Sequence, residues 1–295
     1  MVDAIYPASP IKRQRSTKAE VDRRRDALLA IVAAMRPMTV RQVFYQATVQ
    51  GVVEKTEAGY GKVQTDLVVL RRSGALPYGW LADSTRWQRK PTTFNGIADA
   101  LRDTAAFYRK SLWADANAQV EVWLEKDALS GVVYPITDAF DVPLMVARGY
   151  ASLSFLHSAA EAIEADGRPA YIYHLGDFDP SGVDAGRKIE ETLRELAPTA
   201  EIHFERLALT PEQIYLWRLP TRPTKETDSR SKGFGAISVE LDAIAPQTLR
   251  NLVQHAIERH LPYEQYEVLK AAEESERTLL HMMVQKMDAS AEGRA

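Results

Sequence analysis

The spacing of hydrophobic positions changes character near residue 118. Before it, apolar residues recur at helical intervals. Val21, Leu28, Leu29, Ile31 and Val32 predict a first helix, opened by the capping-box pair Thr17 and Glu20 and closed near Pro37. Thr39 and Gln42 open a second, with Val40, Val43, Phe44 and Ala47 on one face and Gly51 as its stop. A polar turn over Glu54 to Gly61 leads to a third, marked by Val63, Leu67, Val68 and Leu70 and ending in Arg71-Arg72-Ser73-Gly74. Leu76 to Leu81 then reads as a turn into a short extended segment. After residue 118, short apolar runs alternate with helical stretches. Strands are predicted at Val120–Leu124, Val142–Val146, Ala170–Leu175 and Glu201–Leu207, with helices at Asp127–Phe140, Ser152–Ala165 and Pro180–Leu196 between them. Such alternation implies a parallel sheet covered by helices on both faces. Pro246–His260 and Glu264–Met287 predict two terminal helices, packed on the sheet or on a second subunit.

Charge divides the chain in the same place. The net charge of -3 conceals 19 Lys and Arg against 10 Asp and Glu in residues 1–110, and 18 against 30 in residues 111–295. A basic front half points to a polyanion. Helix, helix, turn, helix and a wing-like segment is the order of a winged helix-turn-helix domain, expected over 17–112 after a basic disordered arm at 1–16. The third helix would meet DNA through Lys62, Arg71 and Arg72, with Arg86 beyond it. Residues 219–235 are rich in Pro, Thr, Lys and Arg and read as an exposed loop. There Arg222, Lys225, Arg230 and Lys232 would follow a phosphate backbone.

The absence of cysteine excludes disulfides, thiol nucleophiles and thiolate metal sites. Six scattered histidines leave any metal to carboxylates, which favours a hard cation. No apolar run approaches the roughly 20 residues that span a bilayer, and Met1 to Arg15 has no apolar core of a signal peptide, so a cytoplasmic protein is expected. Ligands of open parallel sheets bind beyond the carboxyl ends of the strands. Glu125 directly follows the first strand, and Asp177 and Asp179 follow the third, in Gly176-Asp177-Phe178-Asp179-Pro180-Ser181-Gly182. Alternate positions in extended chain point the same way, so the two aspartates can share a cation. On the second helix, Tyr45 falls opposite the apolar stripe with Arg41 one turn before it. That placement suits a surface tyrosine. It equally suits a nucleophile whose phenolate is favoured by the guanidinium.

Leu124-Glu125-Lys126 and the Gly176–Gly182 segment resemble the Toprim domain of topoisomerases, primases and related nucleases. The Asp-Pro-Ser-Gly variant is most similar to the A subunit of type IIB topoisomerase (topoisomerase VI) and to the meiotic double-strand-break transesterase. Those proteins carry a winged-helix domain before Toprim, with a nucleophilic tyrosine in a segment that Arg41-Gln42-Val43-Phe44-Tyr45 fits. Val239-Glu240-Leu241-Asp242-Ala243-Ile244 resembles a segment found after Toprim in this group and in plasmid-defence Toprim nucleases.

The resemblance implies an α/β protein in which a mostly helical winged helix-turn-helix domain is followed by a Toprim-like parallel α/β sheet domain (118–210) and a C-terminal loop and helical extension (211–295). It implies cleavage of double-stranded DNA by Tyr45, with Arg41 on the phosphate and Mg2+ (or Mn2+) held by Glu125, Asp177 and Asp179. Cutting both strands with one tyrosine per chain implies a homodimer. A separate ATPase partner and association with the nucleoid complete the expectation. Two rivals keep the same residues: a Toprim nuclease using metal-activated water, and a non-catalytic winged-helix DNA-binding protein. A haloacid-dehalogenase-type phosphatase would place Asp-x-Asp on its first strand, and here the motif follows the third.

Overall fold

Local side-chain chemistry starts most of the helices. The computed structural model describes residues 16–82, 91–224, 231 and 234–292. The arm at 1–15, Arg86, Lys225, Arg230 and Lys232 lie outside them. Helix α1 (Lys18–Met35) opens on the reciprocal Thr17–Glu20 box, and α2 (Val40–Val49) on the Thr39–Gln42 box. Helix α3 (Glu57–Arg72) starts inside the expected polar turn, because the Thr56 hydroxyl accepts from the Gly59 N–H and caps the helix early. Leu28, Ile31, Val32, Val43, Phe44 and Leu67 join these three helices in one core. The chain then returns through a tight turn at Tyr78–Trp80, and Leu81 bridges back to Met38.

An unanticipated helix, α4 (Ile97–Phe107), leads to the sheet. Strands β1 (Gln119–Leu124), β2 (Leu144–Val146), β3 (Ala170–Leu175) and β4 (Ile202–Ala208) are all parallel, in the order β2-β1-β3-β4. Helices α5 (Ser130–Ala139), α6 (Leu153–Asp166) and α7 (Pro180–Leu196) make the crossovers. Alternation sorts the strand residues between two cores. Val122, Leu124 and Leu175 face one core, which α5 completes with Val132 and Val133. Trp123 and Ile172 face the other, with Ile163 of α6 and Ile189 of α7. Both faces are therefore dry, as parallel sheets require.

Beyond β4, a capping box at Thr210–Gln213 opens the short α8 (Pro211–Leu216), and the two-residue strands β5 (Arg222–Pro223) and β6 (Ile237–Ser238) pair antiparallel. Of the segment read as an exposed loop, Arg222 thus sits in a paired strand. Helix α9 (Pro246–Glu258) buries Leu249, Val253 and Ile257 in the first sheet core. Helix α10 (Tyr263–Glu292) runs along α4, joined to it by Arg102–Asp288 at 3.0 Å. Lys110–Glu276 at 2.7 Å extends this contact. Among the described residues no helix is long and apolar enough to cross a membrane.

Candidate active site at the carboxyl end of the sheet

Neighbouring strands β1 and β3 end in register, Leu124 beside Leu175, so the residues that follow them meet. Glu125 donates its backbone N–H to the Leu175 carbonyl, and its Oε2 accepts from the Asp177 N–H at 3.0 Å. The flanking glycines leave room for this carboxylate, for the His174 ring and for the loop's own backbone. A Cβ on Gly176 would stand 2.6 Å from His174 Cε1 and 2.7 Å from Glu125 Oε2, and one on Gly182 2.5 Å from the Asp177 carbonyl oxygen and 2.8 Å from Glu125 Oε2, closer than such atoms pack. Their role is thus close approach to a side chain as much as the turning of the backbone. Asp179 caps α7, its Oδ1 accepting from the Gly182 N–H at 2.8 Å. Arg206 on β4 donates to the carbonyls of Gly176, Asp177, Gly182 and Leu209 and pins the loop from below. Beside it, His174 is buried with neither ring nitrogen hydrogen-bonded. Burial, with Arg206, pulls its pKa down to about 3, so it stays neutral.

The segment after β6 brings in two further acids. The backbone of Phe178 pairs with that of Val239 by two 2.9 Å hydrogen bonds, which carries Glu240 and Asp242 to the strand ends. Lys126 stands among the acids, its Nζ 2.7 Å from Asp242 Oδ2, 3.1 Å from Asp177 Oδ1 and 3.5 Å from Glu240 Oε2. Burial opposes its charge, but Asp242, Asp177 and Glu240 outweigh burial and hold the ammonium above its usual range. Arg222 bridges Asp179 Oδ2 at 3.1 Å and Glu240 Oε1 at 3.0 Å. That guanidinium is half-buried and spent on carboxylates, so it is a member of the cluster and not a free backbone contact. Glu240 is held below the usual carboxylate range: burial would raise it, but Lys126, Arg41 and Arg222 prevail. Glu125 goes the other way. Burial first, then Asp177 and Asp179, push it up to about 7. Burial likewise raises Asp177.

Helix α2 docks on this cluster. The Thr39 hydroxyl donates to Asp242 Oδ1 at 3.0 Å, and Arg41 Nη1 lies 3.2 Å from Glu240 Oε2. The expectation for Tyr45 needs correction here. Its side chain does leave the stripe of Val43, Phe44 and Ala47, yet it is not on an outer face. Tyr45 is 4% exposed and belongs to the sheet-side core. Burial, reinforced by Glu240, raises its phenol to about 12 against the pull of Arg41 and Lys126. In this arrangement the phenolate is disfavoured, contrary to the effect expected of Arg41 alone. The hydroxyl makes no hydrogen bond among the described residues.

A cleft of about 490 Å³ runs between α3 and the cluster, lined by Arg41, Tyr60, Gln64, Arg71, Lys126 and Asp242. Of the basic residues expected on α3, Arg71 lines this cleft, with its guanidinium 4.5 Å from the Tyr78 ring centroid. Lys62 and Arg72 are exposed. Sequence reasoning missed Lys126, Glu240, Asp242, Arg206 and Thr39 as members of the site. The signal available was the alternation of Glu240 and Asp242 in a segment already set apart by its wording. Among the described residues no three Asp, Glu or His side chains are arranged to hold a metal ion. Glu125, Asp177 and Asp179 nonetheless offer only hard oxygen donors. Glu125, raised first by burial and then by Asp177 and Asp179, forms no ion pair among the described residues, so these three are the side chains that could hold such a cation. No protein-family model matches the chain, and no curated protein matches it.

Proposed function

We propose that this chain cleaves DNA by phosphoryl transfer at the carboxyl end of its sheet, in the manner of a topoisomerase VI A-like Toprim transesterase. The observation that carries the reading is the docking of α2 onto the acid cluster. Thr39 on Asp242 and Arg41 on Glu240 bring the tyrosine-bearing helix and the carboxylates into one site. The cleft beside them, with Arg41, Arg71 and Lys126 set among apolar residues, would give a strand a route in.

In the proposed reaction the Tyr45 oxygen gives up its proton and bonds to phosphorus, the bond from phosphorus to a sugar oxygen breaks, and that oxygen takes up a proton, so one is lost and one gained. Religation reverses these steps. Arg41 would hold the phosphate bidentately once released from Glu240. Arg206 fixes the loop so that Asp177 and Asp179 stay in place. Mg2+ held by Glu125, Asp177 and Asp179 would neutralise charge developing on the phosphate and the leaving oxygen. Tyr45 is covered and burial raises its phenol to about 12, so attack would require α2 to loosen from the cluster. Double-strand cutting would require two copies of the chain, and an ATPase would be a separate partner.

A second reading rests on that same burial. A nuclease using metal-activated water would keep the acids and need only the ring of Tyr45, which is covered with a phenol at about 12. Plasmid incubated with magnesium, then detergent and protease, separates the two. Transesterase chemistry leaves protein covalently on DNA, and Tyr45→Phe abolishes both adduct and cutting, because the ring remains but the attacking oxygen is gone. Sustained cutting by Tyr45→Phe without an adduct would establish the water mechanism.

A further inference from the structure

A second pocket, of about 590 Å³, adjoins the acid cluster and plays no part in the chemistry above. It is lined by Phe178, Ile214, Tyr215, Leu216, Arg218 and Ile237. Phe178 is the residue between Asp177 and Asp179, so the pocket wall is continuous with the loop that carries both acids. Its surface is apolar and open: Tyr215 is 88% and Leu216 73% exposed. Arg218, held at a φ of 49°, makes no side-chain hydrogen bond or ion pair among the described residues. The neighbouring cation Arg222 is already committed to Asp179 and Glu240. A guanidinium without a partner among the described residues, beside aromatic and aliphatic surface, is complementary to an anion carrying a flat, weakly hydrated body.

We infer that this pocket receives one unstacked nucleotide of the DNA strand whose phosphodiester lies at the acid cluster, with its base on Tyr215 and Phe178 and its phosphate on Arg218. The inference rests on the DNA-cleaving reading of the adjacent site. A base within an intact stack presents only its edges, so a side pocket of this size is filled by a base that has left the stack. Aromatic platforms next to cationic groups hold such bases without reading their sequence, since every base has a π-face. The pocket therefore contributes grip and local strand distortion more than sequence preference.

The test uses the full chain in EDTA, so that binding is read without cutting. Short single-stranded oligonucleotides are titrated by fluorescence anisotropy, and 5-iododeoxyuridine versions are photocrosslinked and mapped by mass spectrometry. Tyr215→Ala removes an exposed ring and leaves the core untouched, and Arg218→Gln removes the charge. Each is expected to weaken binding by about tenfold, with crosslinks on Tyr215 or Phe178 in the wild type. Unchanged affinity in both variants, or crosslinks confined to other residues, overturns the inference. Binding of an apolar anion such as decanoate in the pocket that oligonucleotide does not displace overturns it in favour of another ligand. A chain that cuts plasmid while its crosslinks avoid the pocket refutes this inference alone. A chain that neither binds nor cuts DNA refutes the functional reading with it.

Discussion

Replacing Glu125 with glutamine is expected to stabilise the metal-free protein above neutral pH and to do nothing in mild acid. Glu125 has its carboxyl raised from 4.5 to about 7 by burial and by its acidic neighbours. The folded state therefore keeps a proton that the unfolded chain loses. That contribution is complete below about pH 4.5 and disappears as pH rises through about 7, leaving an ionised carboxylate among Asp177 and Asp179. At about 1.4 kcal/mol per pH unit, a displacement of this size is worth about 3 kcal/mol. Partial exposure of Glu125 trims it to about 2 kcal/mol through solvent screening. Glutamine is the apt substitution because its oxygen can still accept the Asp177 N–H. Urea unfolding of wild type and Glu125→Gln, in EDTA at about pH 4 and about pH 8, reads the difference. The variant should match wild type at the lower pH and gain about 2 kcal/mol at the higher. A gap that stays constant across this range would refute the crowded-carboxylate account of the site.

Magnesium or manganese should bind to the wild type and not to an Asp177→Ala, Asp179→Ala double variant, by isothermal calorimetry. Undiminished binding would remove these residues from the metal site. Lys126→Met should destabilise the metal-free chain by about 3 kcal/mol, since it leaves Asp242, Asp177 and Glu240 without their central cation. Urea midpoints with and without magnesium check this, and magnesium should restore part of the loss. Lys62→Glu combined with Arg72→Glu, both exposed on α3, should weaken duplex binding at low salt. The slope of log affinity against log salt should flatten by about two, measured on the full chain. An unchanged slope would take α3 off the DNA.

Much of the fold was legible because its signals are local. The Thr17–Glu20 and Thr39–Gln42 boxes act within one turn, and both helices begin where those residues stand. The parallel strands show as short apolar runs because both their faces are buried, and their ends deliver Glu125 and Asp177 as expected. Helix α4 escaped notice because its face is set by α10, more than 150 residues away in sequence. The early start of α3 depended on one hydroxyl, that of Thr56, capping where glycines had implied a turn. Lys126 was visible beside Glu125, but its position among three acids depends on Glu240 and Asp242, which arrive from over 100 residues further on.

Tyr45 shows what a helical wheel leaves undetermined. The wheel divides α2 into the side that packs on α1 and α3 and the side that does not, and in this it agrees with the structure. It carries no information on whether a second body covers the other side. Here the sheet domain does, so α2 serves two cores at once, with Phe44 in one and Tyr45 in the other. The consequence for the N-terminal basic half is physical. An isolated fragment of residues 1–110 would expose Tyr45 and leave Arg41 and Thr39 without Glu240 and Asp242, so its DNA affinity would not report that of the chain. The consequence for chemistry follows from the same contacts. A movement that lifts α2 off the sheet to free the phenol would also separate Thr39 from Asp242 and Arg41 from Glu240. A phosphate competing for Arg41 does part of that work. If Tyr45 is the nucleophile we propose, a DNA phosphate is thus the agent best placed to uncover it.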